Sequence, residues 1–153
     1  MTAKAVALAL MVLLPQPLWA IGFVYTGVGG GGRELMELTE ATVQVQIQDR
    51  LAVTRTDQVF TNRSGRVTEG IYEFKLPTGA IIADLLLWIE GRPVKGIIME
   101  KEEGRQVYDA VVHRRVDPAL IEQIDEETFR LSIFPFPQQG SRRVELEYMQ
   151  ALE

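Results

Sequence analysis

Glu69-Gly70-Ile71-Tyr72-Glu73-Phe74-Lys75-Leu76-Pro77 is the stretch whose reading decides the fold. In an extended chain, successive side chains point to opposite faces, so Tyr72, Phe74 and Leu76 share one face and Ile71, Glu73 and Lys75 the other. Pro77 has no N–H for a further ladder position and ends the strand. Working outward, Thr42 to Gln48 has Val43, Val45 and Ile47 alternating with polar residues, which predicts a strand with one buried and one wet face. Asp49-Arg50 leaves no room for a helix. Ala52 to Phe60 then returns as the second arm of an antiparallel hairpin.

Beyond Pro77, Ala80 to Ile89 is apolar on one face and at the middle of the other, so it belongs inside a sandwich or under a helix. Gly91-Arg92-Pro93 turns the chain into Val94 to Met99, a second hairpin. Between Glu100 and Arg115 the period changes. Val107/Val111 and Tyr108/Val112 are spaced i,i+4, acids precede them and Arg114-Arg115 follows, which predicts a helix over about 100–115 ended by Asp117-Pro118. Ala119 to Glu127 reads as a connection. Phe129-Leu131-Ile133 and Val144-Leu146-Tyr148 read as the arms of a third hairpin. The expected fold is mostly β: an antiparallel β-sandwich of about seven to eight strands with one inserted α-helix.

The chain has 153 residues, enough for one domain with a sizeable core. A formal net charge of −5 argues against nucleic acid as a partner, since phosphate contacts need a basic face. No cysteine is present, which removes disulfides, thiolate metal sites and Cys nucleophiles. Residues 1–20 read as a signal peptide: Lys4, the apolar run Ala5 to Leu14, helix-breaking Pro15 and Pro17, then cleavage between Ala20 and Ile21. The alternative is an uncleaved anchor. The run is shorter than the ~20 apolar residues a spanning helix needs. Any membrane association therefore runs through that segment or through a C-terminal anchor absent from this sequence. Residues 21–34, with four consecutive glycines, read as a flexible linker, and 35–153 as the domain. The glycines are not a nucleotide loop, because no Lys-Ser/Thr follows them.

Catalytic chemistry finds little support. His113 is the single histidine, which excludes a two-histidine zinc site. Glu102-Glu103 and Asp125-Glu126-Glu127 contain the carboxylates a hydrolase or enzyme subunit would use, and solvated charge is the simpler account of them. The acidic run lacks the Asp-x-Asp-x-Asp-Gly spacing of a calcium loop. Asn62-Arg63-Ser64 fits a glycosylation acceptor, although an Asn chosen for turn geometry explains it as well. No catalytic residue, metal site or cofactor is therefore assigned. Glu73 and Lys75, on the outward face of the opening strand, are the candidate partner-binding positions.

Taken together, Phe60-Thr61-Asn62, Glu69, Tyr72-x-Phe74-x-Leu76-Pro77, Gly79-Ala80 and Ile89-x-Gly91 resemble the VIT (vault protein inter-alpha-trypsin) domain. So do Glu100-Lys101-Glu102, Tyr108, the run Asp117 to Glu122, Phe129-x-Leu131-x-Ile133 and Val144-x-Leu146-x-Tyr148. The resemblance covers about residues 36 to 152. Lys75 departs from it, where the family often has Pro, and so does Gly104, where Ala is usual. It implies a non-catalytic module of secreted or surface proteins, commonly followed by a von Willebrand type A domain that carries the metal-dependent site. It supplies no catalytic residues. The expectation is an exported scaffold or adhesion module (periplasmic, cell-surface or secreted) with a protein or type A domain as partner. An alternative is a regulatory domain controlling ligand access of that type A domain.

Overall fold

The computed structural model describes residues 21–26, 33–100 and 119–152. Nine strands are formed there: β1 (Phe23–Thr26), β2 (Glu37–Gln48), β3 (Leu51–Thr61), β4 (Thr68–Lys75), β5 (Ile81–Ile89), β6 (Arg92–Glu100), β7 (Ala119–Gln123), β8 (Thr128–Phe136) and β9 (Ser141–Ala151). The expected helix over about 100–115 lies outside the described residues, apart from Glu100, which ends β6.

The strands follow one another in the order β1-β4-β8-β7-β6-β5-β9-β3-β2, and this ribbon divides into two sheets. β6 belongs to both. Its first residues, Arg92 to Lys95, pair antiparallel with Ile89 to Leu86 of β5, while Gly96 to Glu100 run parallel to Ala119 to Gln123 of β7. Gly96 marks the change of sheet. A Cβ there would lie 2.7 Å from Ile121 Cδ1 and 3.0 Å from Leu85 Cδ2, one from each sheet. The segment read as a connection after Pro118 is thus in part a strand. A parallel pair needs a long crossover connection, and 18 residues separate Glu100 from Ala119 in the sequence.

The opening stretch behaves as its alternation predicts. Tyr72, Phe74 and Leu76 are fully buried, Ile71 and Glu73 are half-buried, and Lys75 is exposed. β4 lies between β1 and β8. The rings form a row through the core: Phe60 of β3 meets Tyr72 edge-on at 5.7 Å, Tyr72 meets Phe74 at 5.3 Å, and Phe74 stacks on Phe129 of β8 at 5.4 Å. Each such pair adds about 0.5–1.5 kcal/mol beyond area burial. The row joins the two sheets, with Leu85, Leu87, Leu131, Ile133, Val144 and Leu146 packed around it.

Four further sequence expectations are corrected. Part of the stretch read as a linker, 21–34, is strand β1, with Val24 and Tyr25 buried. Its anchor is a polar knot: Tyr72 Oη donates to Gln58 Oε1 at 2.7 Å, and Gln58 Nε2 donates to the Gly22 carbonyl at 3.1 Å. The Gly22 backbone runs so close to the Tyr72 ring that a Cβ would sit 2.3 Å from it. The third hairpin does not exist, because β8 pairs with β4 and β7 while β9 pairs with β3 and β5. A β-bulge between Ile82 and Asp84 reverses the alternation of β5. Ile82 therefore faces inward beside Tyr148, as Leu85 and Leu87 do beside Leu146 and Val144, and Ile81 is left 66 % exposed. Finally, β2 has no buried face: it is the outermost strand, and all twelve residues are exposed.

Candidate interaction surface

On the outward face of the first sheet, Glu73 is already committed within the domain. Arg130 Nε, from the neighbouring β8, donates to Glu73 Oε2 at 2.6 Å. The Tyr25 hydroxyl, from β1 on the other side, donates to the same oxygen at 3.2 Å. Burial raises the Tyr25 phenol above its ordinary pKa, so it keeps its proton as a donor. The Arg33 guanidinium lies 4.8 Å over the Tyr25 ring, and Phe23 packs at 5.9 Å from it while remaining 44 % exposed. Lys75 projects from the end of the strand, where its charge is among those acting on Asp125.

The acidic run at 125–127 shapes a turn. Asp125 Oδ1 accepts from the N–H of Glu127 at 2.9 Å and of Thr128 at 2.7 Å, and those bonds hold its carboxyl below the ordinary value. Glu127 Oε1 accepts from Thr78 Oγ1 at 2.5 Å. Glu102, Glu103 and His113 lie outside the described residues, as does Ala20 of the predicted cleavage pair. Ile21 is described and half-buried. Asn62 is a turn residue: its Nδ2 donates to the Arg66 and Pro137 carbonyls and its Oδ1 accepts from Ser64, leaving it 3 % exposed.

The outward face of the second sheet carries a charged array that the sequence reading missed. Arg143 of β9 forks onto both Asp57 oxygens of β3 at 2.8 and 2.7 Å and reaches Glu145 at 2.8 Å. Its guanidinium also lies 4.8 Å over the Trp88 ring of β5. Arg55 pairs with Glu147, and Lys95 with Asp84 at 3.2 Å. A groove of about 380 Å³ runs across this face between Thr42, Gln44, Arg55, Asp57, Asp84 and Glu147. The sequence signal was present in the charges spaced two apart, Arg55/Asp57 and Arg143/Glu145/Glu147, which put ions on one face of adjacent strands.

The array is a polar surface on which three cations, Arg55, Lys95 and Arg143, pair with four carboxylates, Asp57, Asp84, Glu145 and Glu147. Among the described residues no group of three or more His, Asp or Glu side chains is placed to hold a metal ion. Nor does any described helix have the length and apolarity to cross a membrane.

The sequence profile of the Vault protein inter-alpha-trypsin domain matches residues 38–148. Among curated proteins, the human protein mono-ADP-ribosyltransferase PARP4 is 26 % identical over 126 residues, 82 % of this chain and 7 % of that protein. The human inter-alpha-trypsin inhibitor heavy chain H2 is 26 % identical over 130 residues, 79 % of this chain and 14 % of its own length. The chain thus spans a small part of each relative.

Proposed function

Because this chain belongs to the Vault protein inter-alpha-trypsin domain family, we propose that it acts as a non-catalytic, exported interaction module working with a von Willebrand type A domain. The observation that carries this reading is the recurrence of one small domain in two long proteins of different names, a transferase and a heavy chain. A unit making up 7 % of one and 14 % of the other suits a role common to both, and recognition between domains is such a role. The array on the second sheet supports it. The Arg143 guanidinium over Trp88, with the carboxylates beside it, offers hydrogen-bonding groups of the kind found at the polar rim of an interface. Of the described carboxylates that a hydrolase would use, Asp125, Glu126 and Glu127, the first and last accept hydrogen bonds within and beside their own turn.

A polypeptide segment or neighbouring reading frame that encodes a von Willebrand type A domain supplies the partner for the test. Titration calorimetry against that domain is then expected to give saturable one-to-one binding. The absence of binding at roughly 100 µM of each protein overturns the proposal. Export is tested by mass spectrometry of the protein recovered outside the cytoplasm, with Ile21 expected as the first residue. A chain that keeps residues 1–20 and stays in the cytosol overturns that part.

A further inference from the structure

The register of the second sheet sets its outward face in rows. Asp84, Glu147, Arg55 and Gln44 stand side by side on β5, β9, β3 and β2, within the charged array. One row nearer the Asp49-Arg50 turn the charges stop. There Ile81, Met149 and Val53 line up across three strands, and beyond them Ala151 faces Leu51. Paired residues on one face of a sheet have Cβ atoms about 5 Å apart, so these five side chains form one continuous apolar patch. Ile81 is 66 % exposed and Leu51 44 %, while Val53 and Met149 are half-buried. An apolar centre bordered by paired charges has the core-and-rim make-up of a protein interface.

The chain leaves β9 at the margin of this patch. Leu152, directly after the strand, donates its N–H to the Arg50 carbonyl at 2.7 Å, and Arg50 Nε donates to the Leu152 carbonyl at 3.3 Å. The two bonds pin the exit to the β2–β3 hairpin tip, beside the Leu51–Ala151 pair. A domain joined there starts against the patch, at an effective concentration in the millimolar range for a short link, whereas a free partner must overcome the whole cost of association. Five side chains fall well short of the ~1,200 Å² of a standard interface, so a tethered occupant is the one this patch suits. We propose that the patch seats the type A domain, joined through Leu152, with Ile81, Met149, Val53, Leu51 and Ala151 as the dry centre. The Asp84–Lys95 and Glu147–Arg55 pairs form the adjoining rim. Asp57 and Glu145 share Arg143, which leaves the array one negative charge in excess, so the facing rim of the partner carries a lysine or arginine. The assignment rests on the type A partnership proposed above.

Calorimetric titration of the type A domain with this protein is expected to lose about tenfold or more in affinity on Ile81→Asp, and likewise on Leu51→Asp. Both positions are exposed, so the circular dichroism spectrum should stay that of the parent. Phe134→Asp, at a site 53 % exposed on the first sheet, should remain within roughly twofold of the parent affinity. Sedimentation velocity of the protein alone should show a monomer. Binding that ignores both patch variants, or falls equally with Phe134→Asp, overturns the seat and leaves the partnership standing. No binding by the parent overturns both. A dimer that Ile81→Asp dissolves gives the patch to a second copy and overturns the proposal as well.

Discussion

Arg130 and Glu73 face each other across the β4–β8 register, and the single carboxylate oxygen that binds Arg130 also accepts the Tyr25 hydroxyl from β1. One oxygen therefore ties three strands of the first sheet together. The pair is half-buried, with side chains 33 % and 17 % exposed, so its contribution exceeds that of a fully exposed ion pair. Glu73→Ala is expected to lower stability by about 1–2 kcal/mol, read from the urea midpoint. A midpoint indistinguishable from the parent protein would show that the contact is incidental.

Gly22→Ala should be more damaging than its chemistry suggests. The added methyl would lie 2.3 Å from the Tyr72 ring, which is held by Phe60 and Phe74 and has nowhere to retreat. About 1–3 kcal/mol is expected, read as a fall in melting temperature. Gly65→Ala, where a Cβ meets nothing within 4 Å, is the control. Equal effects at the two glycines would contradict the close approach.

Gln58 should matter more than Tyr72's hydroxyl. Tyr72→Phe removes one donor, and Gln58 Oε1 still has the Gly22 N–H at 3.4 Å. The expected cost is about 1 kcal/mol. Gln58→Leu instead strands the Tyr72 hydroxyl and the Gly22 carbonyl in a fully buried site, at about 2–3 kcal/mol. The reverse ranking in chemical denaturation would refute this order.

Asp125 should appear in the acid limb of the stability profile. Its folded pKa is lowered by the Glu127 N–H and the Thr128 bonds, so its contribution is present above the unfolded value, roughly pH 4, and is lost as pH falls through the lower folded value. Thermal melts of the parent and Asp125→Ala should differ at pH 7 and converge as the pH falls through the lowered folded value. A gap that stays constant over that range would mean the carboxylate's charge plays no part.

How far the sequence speaks for the fold is plainest in β4 and β2. The inside and outside of β4 follow directly from its alternation, because a neighbour on each side and a sheet beneath make burial match pattern. β2 shows the same alternation and is exposed on both faces, since a period of two reports pleating and says nothing about whether a layer lies opposite. β7 escaped notice because five residues paired in parallel carry no turn signal to frame them. β1 was hidden by the adjoining glycines, although Phe23 to Tyr25 is β-prone. The bulge in β5 is a backbone event with no residue signature, so the parity of Ile81 and Ile82 could not be read. For the candidate surface, the outward placement of Glu73 was legible and its partners were not, because Tyr25 and Arg130 reach it from 48 and 57 residues away. The Arg143 array failed to emerge for the same reason: it depends on strands distant in sequence lying side by side.

The strand shared between the sheets has a mechanical consequence. A tension applied between β1 and β9 enters through one sheet and leaves through the other, and the backbone hydrogen-bond network links the two by way of β6. β9 is laced over its full length to β3 and along most of β5, so pulling along its axis loads those ladders in shear, many bonds at once. β1 is held through four register pairs and the Gly22–Gln58 knot. Under load the domain should therefore yield first at its N-terminal strand, and the rest should hold as a single elastic body.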